Sequence, residues 1–136
     1  MTRSPAFIFI ALLAAGAPAA AQDGEPESTV LDGVFTTRQV TRGRSGFLDQ
    51  CAGCHTSGQF SDPAFVRKWD GRALHDMFEF IRTSMPNDMP GSLSDATYVD
   101  VVTYILSINR FPTGESELPP DPAVLKRIRM VGKPDG

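Results

Sequence analysis

Cys51-Ala52-Gly53-Cys54-His55 decides how the rest of the chain is read. Two cysteines with two residues between them, followed at once by histidine, form the attachment signature of a c-type haem. The thiols can add to the two vinyl groups of the ring, and the adjacent imidazole can ligate the iron. The chain has two cysteines and two histidines in 136 residues, so the motif takes the whole cysteine supply. A thioredoxin-like redox pair wants a βαβ setting, and nothing strand-like precedes Cys51. One covalent haem c is the expected cofactor, held by Cys51, Cys54 and His55, with His55 on the metal.

Working backwards, Thr36-Thr37-Arg38-Gln39 fits a capping box with Thr36 as N-cap, and Phe35 and Val40 fit a hydrophobic staple. The helix so started can run to about Gln50, with Val40, Gly43 and Phe47 on its inner face. Gly43 in a helix interior costs about 1 kcal/mol relative to Ala. Close approach of another helix would explain it, and so would a simple weak spot. The helix delivers the chain into the motif. If the turn stays helical, Cys51 and Cys54 lie one turn apart on one side, with His55 beside them.

Working forwards, Thr56 to Ser61 reads as loop. Asp62-Pro63 is an N-cap and first-position pair for a short turn through Val66. A helix from about Arg72 to Thr83 follows, with Leu74, Met77, Phe78 and Ile81 as its apolar stripe. His75, Glu79 and Arg82 fall on the opposite face. Ser84 to Leu93 holds Pro86, Pro90 and Gly91 and is a loop. Ser94 caps the last main helix, with Asp95 in its first turn and Leu93 and Tyr98 as a second staple. Tyr98, Val101, Val102, Ile105 and Ile108 carry its period, Asn109 ends it in the left-handed conformation, and Pro112 stops continuation.

A haem iron bound by His55 has a sixth position. His75 lies on a polar face. Met85 and Met89 lie in a proline-stiffened loop, where burying a methionine as core filler is unfavourable. A thioether is a soft neutral ligand that raises the reduction potential. Trp69 is the only tryptophan. Its indole N–H needs an acceptor when buried, and a haem propionate is one.

From about residue 36 to 109 the chain resembles the class I cytochromes c. The resemblance rests on the Cys51–His55 string, the loop Ser84-Met85-Pro86-Asn87-Asp88-Met89-Pro90-Gly91-Ser92-Leu93, and Gly43, Phe47 and Tyr104 in the flanking helices. It implies an all-α cytochrome c fold of three to five helices around one covalent haem, with His/Met ligation. It also implies a crossing of first and last helices through a Gly43–Tyr104 contact. Within that family the loop is similar to cytochromes associated with sulfite or quinoprotein dehydrogenases. That likeness implies Met85 as the ligand, with Met89, in a second Met-Pro, as the alternative. It further implies a backbone carbonyl near a downstream proline, Pro63 here, as the acceptor for the His55 ring.

The ends complete the organisation. Arg3, the apolar run Ala6 to Ala15 and Ala19-Ala20-Ala21 read as a signal peptide over 1–21, too short to span a membrane. Residues 22–34 read as a flexible leader, 35–110 as the cytochrome domain, and 111–136 as a Pro-rich extension with a short helix at about 121–130. Lys and Arg number 13 against 16 Asp and Glu, and loss of Arg3 on export makes the balance one charge more negative. The charges are dispersed, so neither nucleic acid nor stable membrane insertion is expected. With both axial positions filled, the iron has no place for substrate. The expected protein is no enzyme and has no catalytic residues. It is a periplasmic single-electron carrier between a dehydrogenase donor and a cytochrome or oxidase acceptor, working as a monomer or in transient complexes. The alternatives are a haem subunit of a dehydrogenase, or a haem enzyme or gas sensor with a labile sixth ligand.

Overall fold

Thr36 starts the first helix for the reason its sequence gives. In the computed structural model, which describes residues 26–132, its hydroxyl accepts from Gln39 N–H at 3.2 Å and Gln39 Oε1 accepts from Thr36 N–H at 3.3 Å. Helix α1 (Thr37–Gln50) runs from this box to the motif. It buries Gln39, Gly43 and Phe47, while Val40 is only half-buried. Gln39 takes the inner place because its amide has partners there, as set out below.

Five more helices complete the described residues: α2 (Ser57–Ser61), α3 (Pro63–Trp69), α4 (Leu74–Ser84), α5 (Asp95–Ile108) and α6 (Pro122–Lys126). This is an all-α fold. The count exceeds the expected three to five because the segment 56–61, read as loop, forms α2, with Gln59 accepting from Thr56 N–H at 3.0 Å. Asp62 caps α3 through Ala64 N–H at 2.7 Å, and Ser94 caps α5 through Thr97 N–H at 3.1 Å. Helix α5 ends at Asn109 with φ −92°, not in the left-handed region; Arg110 takes that conformation at φ 65°. Asn109 stays because its Nδ2 donates to Ile105 O at 2.8 Å and to Phe60 O at 2.7 Å, tying α2 to the end of α5.

Helices α1 and α5 cross at Gly43. A Cβ placed there would overlap the Asp100 carbonyl oxygen and come within 3.1 Å of Tyr104 Cβ. Close approach, rather than a weak spot, explains the glycine. Above the contact the rings of Phe47 and Tyr104 lie 5.3 Å apart.

The first and last segments of the described residues close the fold. Strand β1 (Ser28–Thr29) pairs in parallel with β2 (Ile128–Arg129), and Val30, Leu118, Leu125, Ile128 and Met130 are buried with the core. The expected flexible leader is therefore tied down over its described part, 26–34. Gln39 donates to Leu118 O at 2.9 Å and accepts from Leu118 N–H at 2.7 Å. Arg42 holds Asp100 at 2.7 Å and Glu117 at 2.9 Å. The signal-peptide reading of 1–21, the leader residues 22–25 and the last four residues lie outside the described residues.

Candidate functional site

The motif leaves α1 as a tight turn. Cys51 N–H and Ala52 N–H both donate to Phe47 O at 2.9 Å, and Cys54 N–H and His55 N–H return to Cys51 O at 3.1 and 2.9 Å. This turn places Cys51, Cys54 and His55 on the wall of one cavity of about 770 Å³. Its other lining includes Phe47, Phe60, Phe65, Trp69, Phe80 and Ile81, then Leu93, Tyr98, Val101 and Ile105 from the loop and α5. Such a volume lies in the range of about 300–1,000 Å³ in which proteins enclose cofactors.

Both thiols are free, and burial pushes that of Cys51 upward, favouring its neutral form. The two cysteines are available for bonds to a ligand rather than to each other. Met85, at the C-cap of α4, lines the same cavity. Its carbonyl accepts from Tyr98 O–H at 2.7 Å, and Tyr98 O in turn faces Leu93 N–H at 3.4 Å. One phenol therefore ties both ends of the Met85–Leu93 loop to α5. Met89 is 63 % exposed and takes no part in the lining. His75 also lies off the cavity, with Nδ1 at 3.9 Å from Asp76.

Trp69 tests whether a haem fits. It is 1 % exposed, it lines the cavity, and its indole nitrogen has no hydrogen-bond partner. A buried donor left alone costs about 1–3 kcal/mol, so an acceptor from a bound group is called for, as a propionate would be. Among the described residues no cluster of three His, Cys, Asp or Glu side chains is placed to hold a bare metal ion. Two thiols, one imidazole, one thioether and a large aromatic cavity suit a metal carried inside an apolar ring. Cys51 and Cys54 would hold the ring, and His55 and Met85 on the same cavity wall would be the candidate donors to its iron.

Three residues at the site were not legible as such. Gln59 lies with Oε1 3.3 Å from His55 Nδ1, where Pro63 was the expected neighbour. Phe60 sets its ring 5.3 Å from that of His55 and 5.7 Å from that of Phe47. Both sit in the stretch read as loop. The staple and helical period place Tyr98 against Leu93 and the core but do not announce the Met85 carbonyl as the partner that its buried O–H needs. Outside, Lys68 Nζ lies 4.3 Å from the Phe80 ring centre and 5.0 Å from that of Trp69, and Arg72 stacks on Trp69 at 5.0 Å. Lys68 and Arg72 thus cover the outer side of the aromatic wall.

A family model described as cytochrome C oxidase, cbb3-type, subunit III matches residues 38–105. The matched span runs from α1 through the motif and the Met85 loop into α5. Comparison with curated proteins and with solved structures finds no match.

Proposed function

The chain belongs to the c-type cytochrome family described as cytochrome C oxidase, cbb3-type, subunit III, and from that premise we propose that it is an exported single-electron carrier with one His55/Met85-ligated haem. Covalent haem c and a role in electron transfer come with the family. When bound, the haem supplies a one-electron ferric/ferrous couple. The carrier reading rests on one observation: Cys51, Cys54, His55 and Met85 line the same cavity. With both donors engaged, no position remains for a substrate, so the protein moves electrons and does not transform molecules. The residues do the rest. The aromatic wall excludes water, Trp69 offers its N–H to an acidic group, and Tyr98 holds the Met85 backbone in place.

The donor in this reading is a periplasmic dehydrogenase of the quinoprotein kind, from the likeness of the Met85–Leu93 loop, and the acceptor is a second cytochrome or an oxidase. Export rests on the 1–21 segment. No helix among the described residues is long and apolar enough to cross a membrane.

The test is a pair of substitutions on the oxidised and reduced holoprotein. Met85→Ala is expected to abolish the weak long-wavelength ferric iron–thioether band and to lower the midpoint potential. Met89→Ala is expected to leave both unchanged. If Met89→Ala alone abolishes the band, the ligand assignment moves to Met89. If the unmodified protein lacks the band and binds CO rapidly when reduced, the carrier reading falls in favour of an enzyme or gas sensor. A second reading, a fixed subunit of a larger redox complex, is favoured by the family description, which names an oxidase subunit. Size exclusion of native extract followed at the Soret band separates it from a free monomer.

A further inference from the structure

We propose that Gln59 is the positioning residue for His55: its amide oxygen accepts the Nδ1–H of the ring, which leaves the Nε2 lone pair for the iron. The inference rests on the reading of His55 as an iron ligand.

The amide orientation follows from its second contact. Gln59 Oε1 lies 3.0 Å from Thr56 N–H, which can only donate. The atom facing it is therefore the oxygen and not the amide nitrogen. The same oxygen lies 3.3 Å from His55 Nδ1. Two acceptors cannot bond, so Nδ1 is the donor in this contact, and in the neutral ring Nε2 then keeps its lone pair. Helix α2 is what makes this possible. It sets Gln59 at its third position, facing back to the start of the helix, and Phe60 next to it with its ring 5.3 Å from the imidazole. The amide thus selects the tautomer, while Phe60 limits rotation of the ring. Pro63 opens α3 one element further on, and His55 has its contact with α2 instead.

The acceptor is a neutral side-chain amide that also serves Thr56, so its pull on the imidazole proton is weak. A stronger acceptor makes a ligating histidine more basic and favours the ferric state; no acceptor does the reverse. The midpoint potential is then set partly by a replaceable side chain.

The test compares holoprotein carrying Gln59, Gln59→Glu and Gln59→Leu. Glu keeps an oxygen for Thr56 N–H, so α2 keeps its cap. The expected result is a midpoint potential lowered by Glu and raised by Leu. In the reduced protein, exchange of the His55 Nδ1 proton, followed by NMR, is expected to quicken at least tenfold in Gln59→Leu. Loss of the α2 cap by itself would not give shifts of opposite sign. If both variants move the potential the same way, or neither moves it, Gln59 only caps α2 and the proposal is overturned. If Gln59→Leu does not fold, Gln59→Glu decides alone: an unchanged potential overturns the proposal. Absence of the iron–thioether band in the unmodified protein with opposite shifts in the variants would remove the carrier reading and leave Gln59 in its role.

Discussion

At the scale of one residue, Gly43 and Gly46 sit one turn apart on α1 and predict opposite responses to the same methyl group. Alanine in a helix interior is favoured over glycine by about 1 kcal/mol. At Gly46 the added carbon would meet Val101 Cγ2 at 3.4 Å and Thr97 Cγ2 at 3.6 Å, which is ordinary contact. Gly46→Ala is expected to stabilise the holoprotein by about 0.5–1 kcal/mol. At Gly43 the carbon would overlap the Asp100 carbonyl, which is backbone and cannot turn away. Overpacking of this kind costs about 1–3 kcal/mol or more, which outweighs the propensity gain. Gly43→Ala is expected to destabilise by about 2 kcal/mol. Urea unfolding of both variants followed by circular dichroism checks the pair, and a stable Gly43→Ala would mean that α1 and α5 are not in contact there.

At the scale of an element, the C-terminal extension is a strap whose attachment depends on Gln39. Its side chain is 1 % exposed and meets both polar groups of the Leu118 backbone, which is itself buried. The Arg42–Glu117 contact beside it is between half-exposed groups and adds little, since water screens it. Gln39→Leu would leave the Leu118 N–H and C=O buried without partners, at about 1–3 kcal/mol each. The expected outcome is a loss of about 2–4 kcal/mol. Cleavage by a dilute protease should begin between Phe111 and Asp121. If Gln39→Leu is as stable as the unchanged protein and is cut no faster, the strap is held by its apolar side chains alone. Substitution by Glu would separate the two halves of the bond, because a carboxylate can accept from Leu118 N–H but cannot donate to its carbonyl.

At the scale of the molecule, the features readable from sequence are those governed by neighbours a few residues away. The Thr36 box, the Asp62-Pro63 start, the Ser94 cap and the Cys51–His55 turn are all of this kind, and so is the apolar period of α5. Pairing of residues 28–29 with 128–129, burial of Gln39 against Leu118 and the Tyr98 tie to Met85 depend on partners brought in from elsewhere, and nothing local announces them. The placing of Met85 on the cavity and Met89 outside it is of the second kind too, since the two Met-Pro pairs look alike in the string. Hydrogen-bonded carboxylates, two held locally and one across the closure, set the response to acid. Glu117 is held below the ordinary carboxylate value by its hydrogen bond to Arg42, Glu79 by its hydrogen bond to Arg82, and Asp32 by the Thr29 backbone and then its hydroxyl. Arg42 itself is pushed up, first by Asp100, and stays charged throughout. A carboxylate whose folded pKa is depressed contributes stability above its unfolded pKa, and that contribution is lost as pH falls through the folded one. The window therefore opens below about 4.5, the ordinary value for Glu. The urea midpoint is expected to be nearly level from about pH 7 to 5 and to fall steadily below about 4.5. Only Glu117 among the three ties the strap to α1, so Glu117→Gln is expected to lower the midpoint slightly at neutral pH and to make the acid fall shallower. Parallel acid limbs for the unchanged protein and Glu117→Gln would show that the Arg42 bridge makes no contribution to the acid response.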